Sequence, residues 1–129
     1  MKIYKKIGVW MDHAIAHLIA LEDETATMSD ITSSFTHEER MAILAKSEFM
    51  LNNKERQLLH QYYTEIGDVL KKYDKVILFG PTDAKLELYN FLKTDHHFDK
   101  INIAIEDADK MTSKQREVYV KFFFKEPKI

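Results

Sequence analysis

Four carboxylates stand where a divalent-cation site would need them, at the ends of apolar, strand-like segments. Asp12 follows Tyr4–Met11, and Glu106, Asp107 and Asp109 follow Ile101–Ile105. Brought together, such a set would hold two cations close enough to stabilise the attacking and leaving oxygens of a phosphodiester cleavage. Sites of that kind usually also carry an acid inside the first strand, and here that interior is Ile7-Gly8-Val9-Trp10-Met11. The competing reading is local: Asp12 as a turn residue, Asp107 and Asp109 as turn and cap residues. Histidines offer a second metal chemistry. His13 and His17 share one face of a strand with Ile15 between them, and His96-His97 fall in a loop. No third or fourth ligand stands at zinc spacing, so packing or surface placement is the simpler reading.

Two further groups suit anions. Gly80-Pro81-Thr82 follows a strand and opens a helix, and free backbone N–H groups at a helix start bind anions. Gly80 and Thr82 are the candidates, although Pro81 removes a donor and the P-loop glycine spacing and Lys-Ser/Thr pair are missing. The alternative is a plain helix start capped by Thr82 or Asp83. In the last helix Lys114, Lys121 and Lys125 fall on one stripe, with Lys110 and Arg116 nearby. They suit phosphate contact, which would be weak and salt-sensitive, or else a solvated amphipathic face with snorkelling lysines.

Apolar patterning supplies the elements that must position these groups. Tyr4–Met11, Ala14–Leu21 and the weaker Thr25–Ile31 read as three strands, joined by turns at Asp12-His13 and Glu22-Asp23-Glu24. Thr36 precedes Glu38-Glu39-Arg40, a possible short helix start, within an irregular Phe35–Leu51 stretch. Asn52–Tyr73 is the strongest helix signal, with Leu58, Leu59, Tyr62, Ile66, Val69 and Leu70 at helical spacing. Then follow a strand at Lys75–Phe79, a helix at Asp83–Lys93 with Ala84, Leu88, Phe91 and Leu92 inward, and a strand at Ile101–Ile105. Thr112 caps a last helix, Ser113–Lys125, with Tyr119, Phe122 and Phe123 inward and Phe124 left partly exposed. The order β-β-β-α-β-α-β-α predicts an α/β fold: a mixed five-stranded sheet with helices on both faces, the layout of ribonuclease-H-like folds.

Composition narrows the class. A chain of 129 residues with 45% hydrophobic and 31% charged residues suits one globular domain spanning 1–129. With no cysteine there is neither a disulfide framework nor a thiolate metal site, which fits a reducing cytoplasm. The N-terminus lacks the apolar core of a signal peptide, and the longest apolar stretch, Ala14–Leu21, is too short for a membrane span. A net charge of −2 gives no global pull toward nucleic acid. Charge is nonetheless segregated. Lys110–Ile129 holds six Lys or Arg against two Glu, whereas Asp12–Asp30 holds five acids and no Lys or Arg.

Two segments carry a family resemblance. One is Val76-Ile77-Leu78-Phe79-Gly80-Pro81-Thr82-Asp83-Ala84-Lys85, followed by Leu88-Tyr89 and Leu92. The other is Ile103-Ala104-Ile105-Glu106-Asp107-Ala108-Asp109-Lys110-Met111-Thr112, followed by Gln115 and a Phe-rich helix. Both resemble bacterial small proteins related to the middle domain of archaeal and eukaryotic class-one release factors and of Pelota. Gly8-Val9-Trp10-Met11-Asp12-His13 and Ala16-His17-Leu18-Ile19 suit that family's first hairpin. The resemblance implies a role at the ribosome. Release factors hydrolyse the peptidyl ester with a Gly-Gly-Gln loop, and no such motif occurs here: the glycines are Gly8, Gly67 and Gly80. Pelota-like relatives also lack it and act in rescue of stalled ribosomes through partners. Full-length factors carry flanking domains for which this chain is too short.

The reading is therefore a non-catalytic, cytoplasmic, translation-associated accessory protein without a cofactor. It is expected to bind ribosome, RNA or a translation factor through the basic last helix and the segment after the third strand. The alternatives are a divalent-metal nuclease and a homodimeric interaction module unrelated to translation, with Phe35–Leu51 as its interface.

Overall fold

The computed structural model describes residues 4–22, 25–33, 41–42 and 45–125. Its elements run β1 (Lys6–Met11), β2 (Ile15–Glu22), β3 (Thr25–Thr32), α1 (Glu48–Leu70), β4 (Lys75–Gly80), α2 (Ala84–Lys93), a 3₁₀ turn (His96–Phe98), β5 (Asn102–Asp107) and α3 (Ser113–Phe123). The sheet has five strands in the order β3-β2-β1-β4-β5. β1 pairs antiparallel with β2 and parallel with β4, and β5 runs parallel to β4. The expected mixed sheet and element order are therefore observed, with β3 at an edge. The proposed helix start at Thr36–Arg40 lies outside the described residues, as do 35–40 and 43–44 of the Phe35–Leu51 stretch, whose end belongs to α1.

The period-two alternation of the central strands divides the interior in two. Ile7, Val9 and Met11 of β1, with Val76 and Leu78 of β4, face α1 and α2. Trp10 of β1, with Ile77 and Phe79 of β4, faces α3. Both strands are buried on both faces, which explains why they read as unbroken apolar runs and not as alternating ones.

On the first face α1 contributes Tyr62, Tyr63, Ile66 and Leu70, and α2 contributes Ala84, Leu88 and Leu92. Full burial of each Leu or Ile is worth about 1.5–3 kcal/mol. Tyr63 belongs to the core although it lies outside the expected stripe, because a wide apolar face on a long helix takes in neighbouring positions. Phe91, expected inward, is only half-buried.

On the second face α3 is held by one fully buried residue, Val120. Gly8 lies directly opposite, and a Cβ there would run into Val120 Cγ2 and stand 3.0 Å from Cγ1. Val120 sets the rotation of the helix. At about 100° per residue, Phe122 lies about 200° round from Val120 and points away from the sheet. Phe122 is accordingly 77% exposed, which corrects the expectation that it faces inward. Phe123 and Phe124 pack edge to face at 5.0 Å and are half-buried.

Gly8→Ala is expected to lower stability by about 1–3 kcal/mol through overpacking. Combined with Val120→Ala it should cost less than the sum of the two single changes, measured by urea unfolding. Strict additivity would mean that the two residues do not confine each other.

Candidate functional site

The carboxyl ends of β1, β4 and β5 lie side by side, the place where open α/β sheets bind ligands. Asp12, Glu106 and Asp107 each have a structural partner there. Asp12 Oδ1 accepts the N–H groups of Ala14 and Ile15 at 2.7 and 2.9 Å, so it closes the β1–β2 turn as read from sequence. The Tyr62 hydroxyl donates to the Asp12 carbonyl at 2.9 Å, pinning that turn to α1. Burial, reinforced by the Asp12 charge, raises the Tyr62 phenol well above its ordinary range and keeps the donor protonated.

Glu106 accepts a hydrogen bond from the Tyr119 hydroxyl. The Tyr119 ring stacks on Phe79, with centroids 4.4 Å apart. Asp107 is neither a turn nor a cap residue: it ends β5 and meets Lys85 Nζ at 2.9 Å. Asp109 contributes its backbone carbonyl, which accepts from Trp10 Nε1 at 3.0 Å. Three of the four carboxylates proposed for cations, those of Asp12, Glu106 and Asp107, are thus engaged in separate local contacts, and Asp109 is held by its backbone. Among the described residues no three acidic or histidine side chains gather at metal-binding distance.

The histidines are also dispersed. His13 sits in the turn and not in β2, so it does not share a strand face with His17. Its Nε2 lies 3.0 Å from Glu87 Oε2 on α2, and Glu87 Oε1 accepts from the Tyr63 hydroxyl at 2.9 Å. This His13–Glu87–Tyr63 bridge joins the β1–β2 turn to both helices of the first face. It is invisible in the sequence because its members stand 24 to 74 positions apart. Burial works against the Glu87 charge, but the hydrogen bonds from His13 and Tyr63 outweigh it and hold the carboxyl below its ordinary 4.5. On the other face His17 Nδ1 lies 2.7 Å from Asp30 Oδ1, and the ring lies against Trp10 at 5.6 Å. His96 and His97 pair with Asp99 and Asp95 at 3.2 and 2.6 Å within the exposed 3₁₀ turn.

The Gly80-Pro81-Thr82 start is filled from within. Gly80 adopts φ +154, where a side chain would be strained, and its Cβ position is taken by the Met11 carbonyl. Thr82 Oγ1 accepts from Ala84 N at 3.2 Å, while Asp83 makes no side-chain cap. Lys85, only 3% exposed, curls back to donate to the Thr82 carbonyl at 2.6 Å and reaches Asp107. Its ammonium thus fastens the β4–α2 corner to the end of β5. A lysine one place after an inward alanine carries no sequence sign of burial.

The basic candidates lie on the second face. The capping box expected of Thr112 is formed: Thr112 Oγ1 accepts from Gln115 N at 3.2 Å and Gln115 Oε1 accepts from Thr112 N at 2.9 Å. Arg116 is half-buried and donates to the Met111 carbonyl at 2.6 Å, which makes it a brace for the preceding loop. Lys114 and Lys121 flank Glu117 at 3.5 and 3.1 Å. The hydrogen bond from Lys121, helped by the charge of Lys114, holds that carboxyl below the usual range. Lys110, Lys114, Lys121 and Lys125 are all exposed. Beside Lys110 and Lys114 lies a feature absent from the sequence reading: an open groove of about 620 Å³ whose apolar lining includes Met111, Val118, Tyr119 and Phe122.

This arrangement of strands and helices recurs in solved structures. Archaeoglobus fulgidus Pelota superposes with a TM-score of 0.61 over 95% of this chain, at 13% identity. Thermoplasma acidophilum Pelota gives 0.58 over 94%, at 16% identity, and the archaeal translation termination factor aRF1 gives 0.58 over 90%, at 15% identity. The chain is similar in fold to Pelota and to aRF1. It spans 32%, 32% and 33% of those chains, about a third of each. No family model matches the sequence, and no curated protein matches it. The likeness read from the strand–Gly-Pro–helix and Ala-Asp-Lys-Met-Thr segments therefore holds at the level of fold. No helix among the described residues is long and apolar enough to cross a membrane.

Lys85→Ala is expected to cost about 2–4 kcal/mol, from the lost buried stem and its charged hydrogen bond. Asp107→Asn, at a side chain 96% exposed, should cost about 1 kcal/mol or less in urea unfolding. For Glu87 a lowered folded-state pKa means that its stabilisation is present above the ordinary 4.5 and lost as pH falls through the folded value. The stability gap between the native chain and Glu87→Gln should therefore be widest above pH 4.5 and close toward lower pH. A gap that stays constant with pH would refute the charged bridge.

Proposed function

We propose that this chain is a non-catalytic binding domain of the translation machinery, docking on the ribosome or a translation factor through the outer face of α3. The observation that carries this reading is a fold shared, over at least nine-tenths of the chain, with aRF1, a translation termination factor, and with Pelota. The surface supports it from the other side. Lys110, Lys114, Lys121 and Lys125 are presented outward on and beside one helix, while Arg116 is drawn inward as a brace. Binding in place of catalysis agrees with the strand-end chemistry. Asp12 is committed to a turn, Glu106 to Tyr119 and Asp107 to Lys85, and among the described residues no three acidic or histidine side chains converge to hold a cation. Among the described residues no cluster of acids and histidines favours the metal-nuclease alternative.

Sedimentation of the tagged chain with ribosomes through a gradient, at low and moderate salt, tests the reading. Co-migration is expected to survive moderate salt, weaken as ionic contacts are screened, and fall in Lys114→Glu/Lys121→Glu with the fold intact. A chain that stays at the top of the gradient at both salts would leave the likeness to translation factors as one of fold only.

A further inference from the structure

We propose that the groove on the outer side of α3 is a docking site for an acidic protein segment bearing bulky apolar side chains. Among the described residues α3 packs on the sheet and on the loop before it, yet it carries a second apolar face. Val120 and its neighbours meet the sheet. Val118 and Phe122, four residues apart and adjacent on the helix surface, are 52% and 77% exposed. With Met111 and Tyr119 they line the groove of about 620 Å³, and Lys110 and Lys114 border it. An aromatic and an aliphatic residue left in water side by side, rimmed by cations, form the core and rim of an interface without its partner.

The groove is held ready. The Thr112–Gln115 capping box fixes where α3 begins. The Arg116 guanidinium holds the Met111 carbonyl at 2.6 Å, and the Trp10 indole holds the Asp109 carbonyl at 3.0 Å. The loop wall is therefore tied to the sheet through Trp10 and to α3 through Arg116, and a ligand would meet little ordering cost on that side.

The chemistry of the lining selects the occupant. A nucleic-acid platform needs open aromatic faces along a basic track. Here the Tyr119 ring is already stacked on Phe79 and its hydroxyl is engaged by Glu106, so Phe122 is the one open ring among the lining residues and its neighbours are aliphatic. An apolar side chain fills such a floor better than a base does. Lys114, with its side chain 79% exposed and a long 3.5 Å contact to Glu117, can turn to a carboxylate on the ligand, and Lys110 stands beside it. One opposing charge, Asp109, lines the same groove. It sits in the loop before α3, so the acids of the ligand are expected to lie toward Lys110 and Lys114. The proposal draws on the translation reading only for where such a segment would come from.

The test uses the full chain and a fluorescein-labelled synthetic peptide of about twelve residues, built from Glu and Asp with one Leu and one Phe four positions apart. Controls are the same peptide with Leu and Phe replaced by Ser, one with its acids replaced by Lys, and a twelve-nucleotide oligouridylate. Anisotropy measures binding. Emission of Trp10, the one tryptophan, reports events at the Asp109 wall. The acidic apolar peptide is expected to bind and shift the Trp10 emission, and all three controls to bind at least about tenfold more weakly. Phe122→Ser should weaken binding about tenfold or more, and Lys110→Ala/Lys114→Ala should weaken it and flatten its salt dependence. Since these side chains are exposed, circular dichroism and urea midpoints should match the native chain and separate lost docking from lost folding. Equal peptide binding by Phe122→Ser, or oligouridylate binding that depends on Phe122 while the peptide fails, would overturn the proposal. Peptide binding that stands while ribosome sedimentation fails removes the translation reading and leaves the groove. The reverse result removes the groove and leaves that reading.

Discussion

The parallel pairing of β1 with β4 is the constraint on which the rest of the molecule depends. These strands lie in the middle of the sheet and are buried on both faces, so each residue belongs to one of two cores according to its parity. A slip of one residue would exchange Val9 and Met11 with Trp10 and turn every side chain to the wrong helix layer. The two layers are not equivalent. α1 and α2 cover one face with aromatic and branched side chains, whereas α3 touches the other through a narrow contact centred on Val120 and Gly8. Lacking a side chain, Gly8 lets the helix approach, and that close approach fixes which residues of α3 look outward.

The polar groups at the carboxyl ends of the strands join the layers. Lys85 fastens the β4–α2 corner to β5, Tyr62 fastens α1 to the first turn, and Tyr119 fastens α3 to Glu106. The end of the sheet that hosts chemistry in many α/β proteins is here a set of clasps. The clasps draw these side chains toward separate structural partners, and among the described residues they do not converge on one point. The outer face of α3 has the opposite character, with large apolar side chains and lysines left toward solvent on a rigid support. The division between a clasped end and an open helix face directs the functional reading toward binding.

Much of this architecture was legible in the sequence. Local signals set the element order: apolar runs for the doubly buried strands, the Leu59–Leu70 stripe for α1, and Thr112 with Gln115 for the start of α3. Asp12 was read correctly as a turn residue because its bonds reach only two and three positions along the chain. The resemblance in sequence rests on short contiguous segments, Gly80-Pro81-Thr82 and Ala108 to Thr112 among them, and the likeness to Pelota and aRF1 holds for the fold as a whole.

The tertiary structure decided what contiguous patterns leave open. Three phenylalanines in a row, Phe122 to Phe124, make every rotation of α3 look equally apolar, and only the contact of Val120 with Gly8 selects the one that leaves Phe122 in solvent. The burial of Lys85 and the bridge of His13, Glu87 and Tyr63 depend on neighbours far away in the chain, which no local periodicity encodes. The sequence by itself determined which segments become strands and helices, because propensity, capping and hydrophobic period act over a few residues. Only the tertiary structure decided which polar groups are consumed and which apolar ones remain exposed, because those outcomes depend on packing between segments the sequence keeps apart.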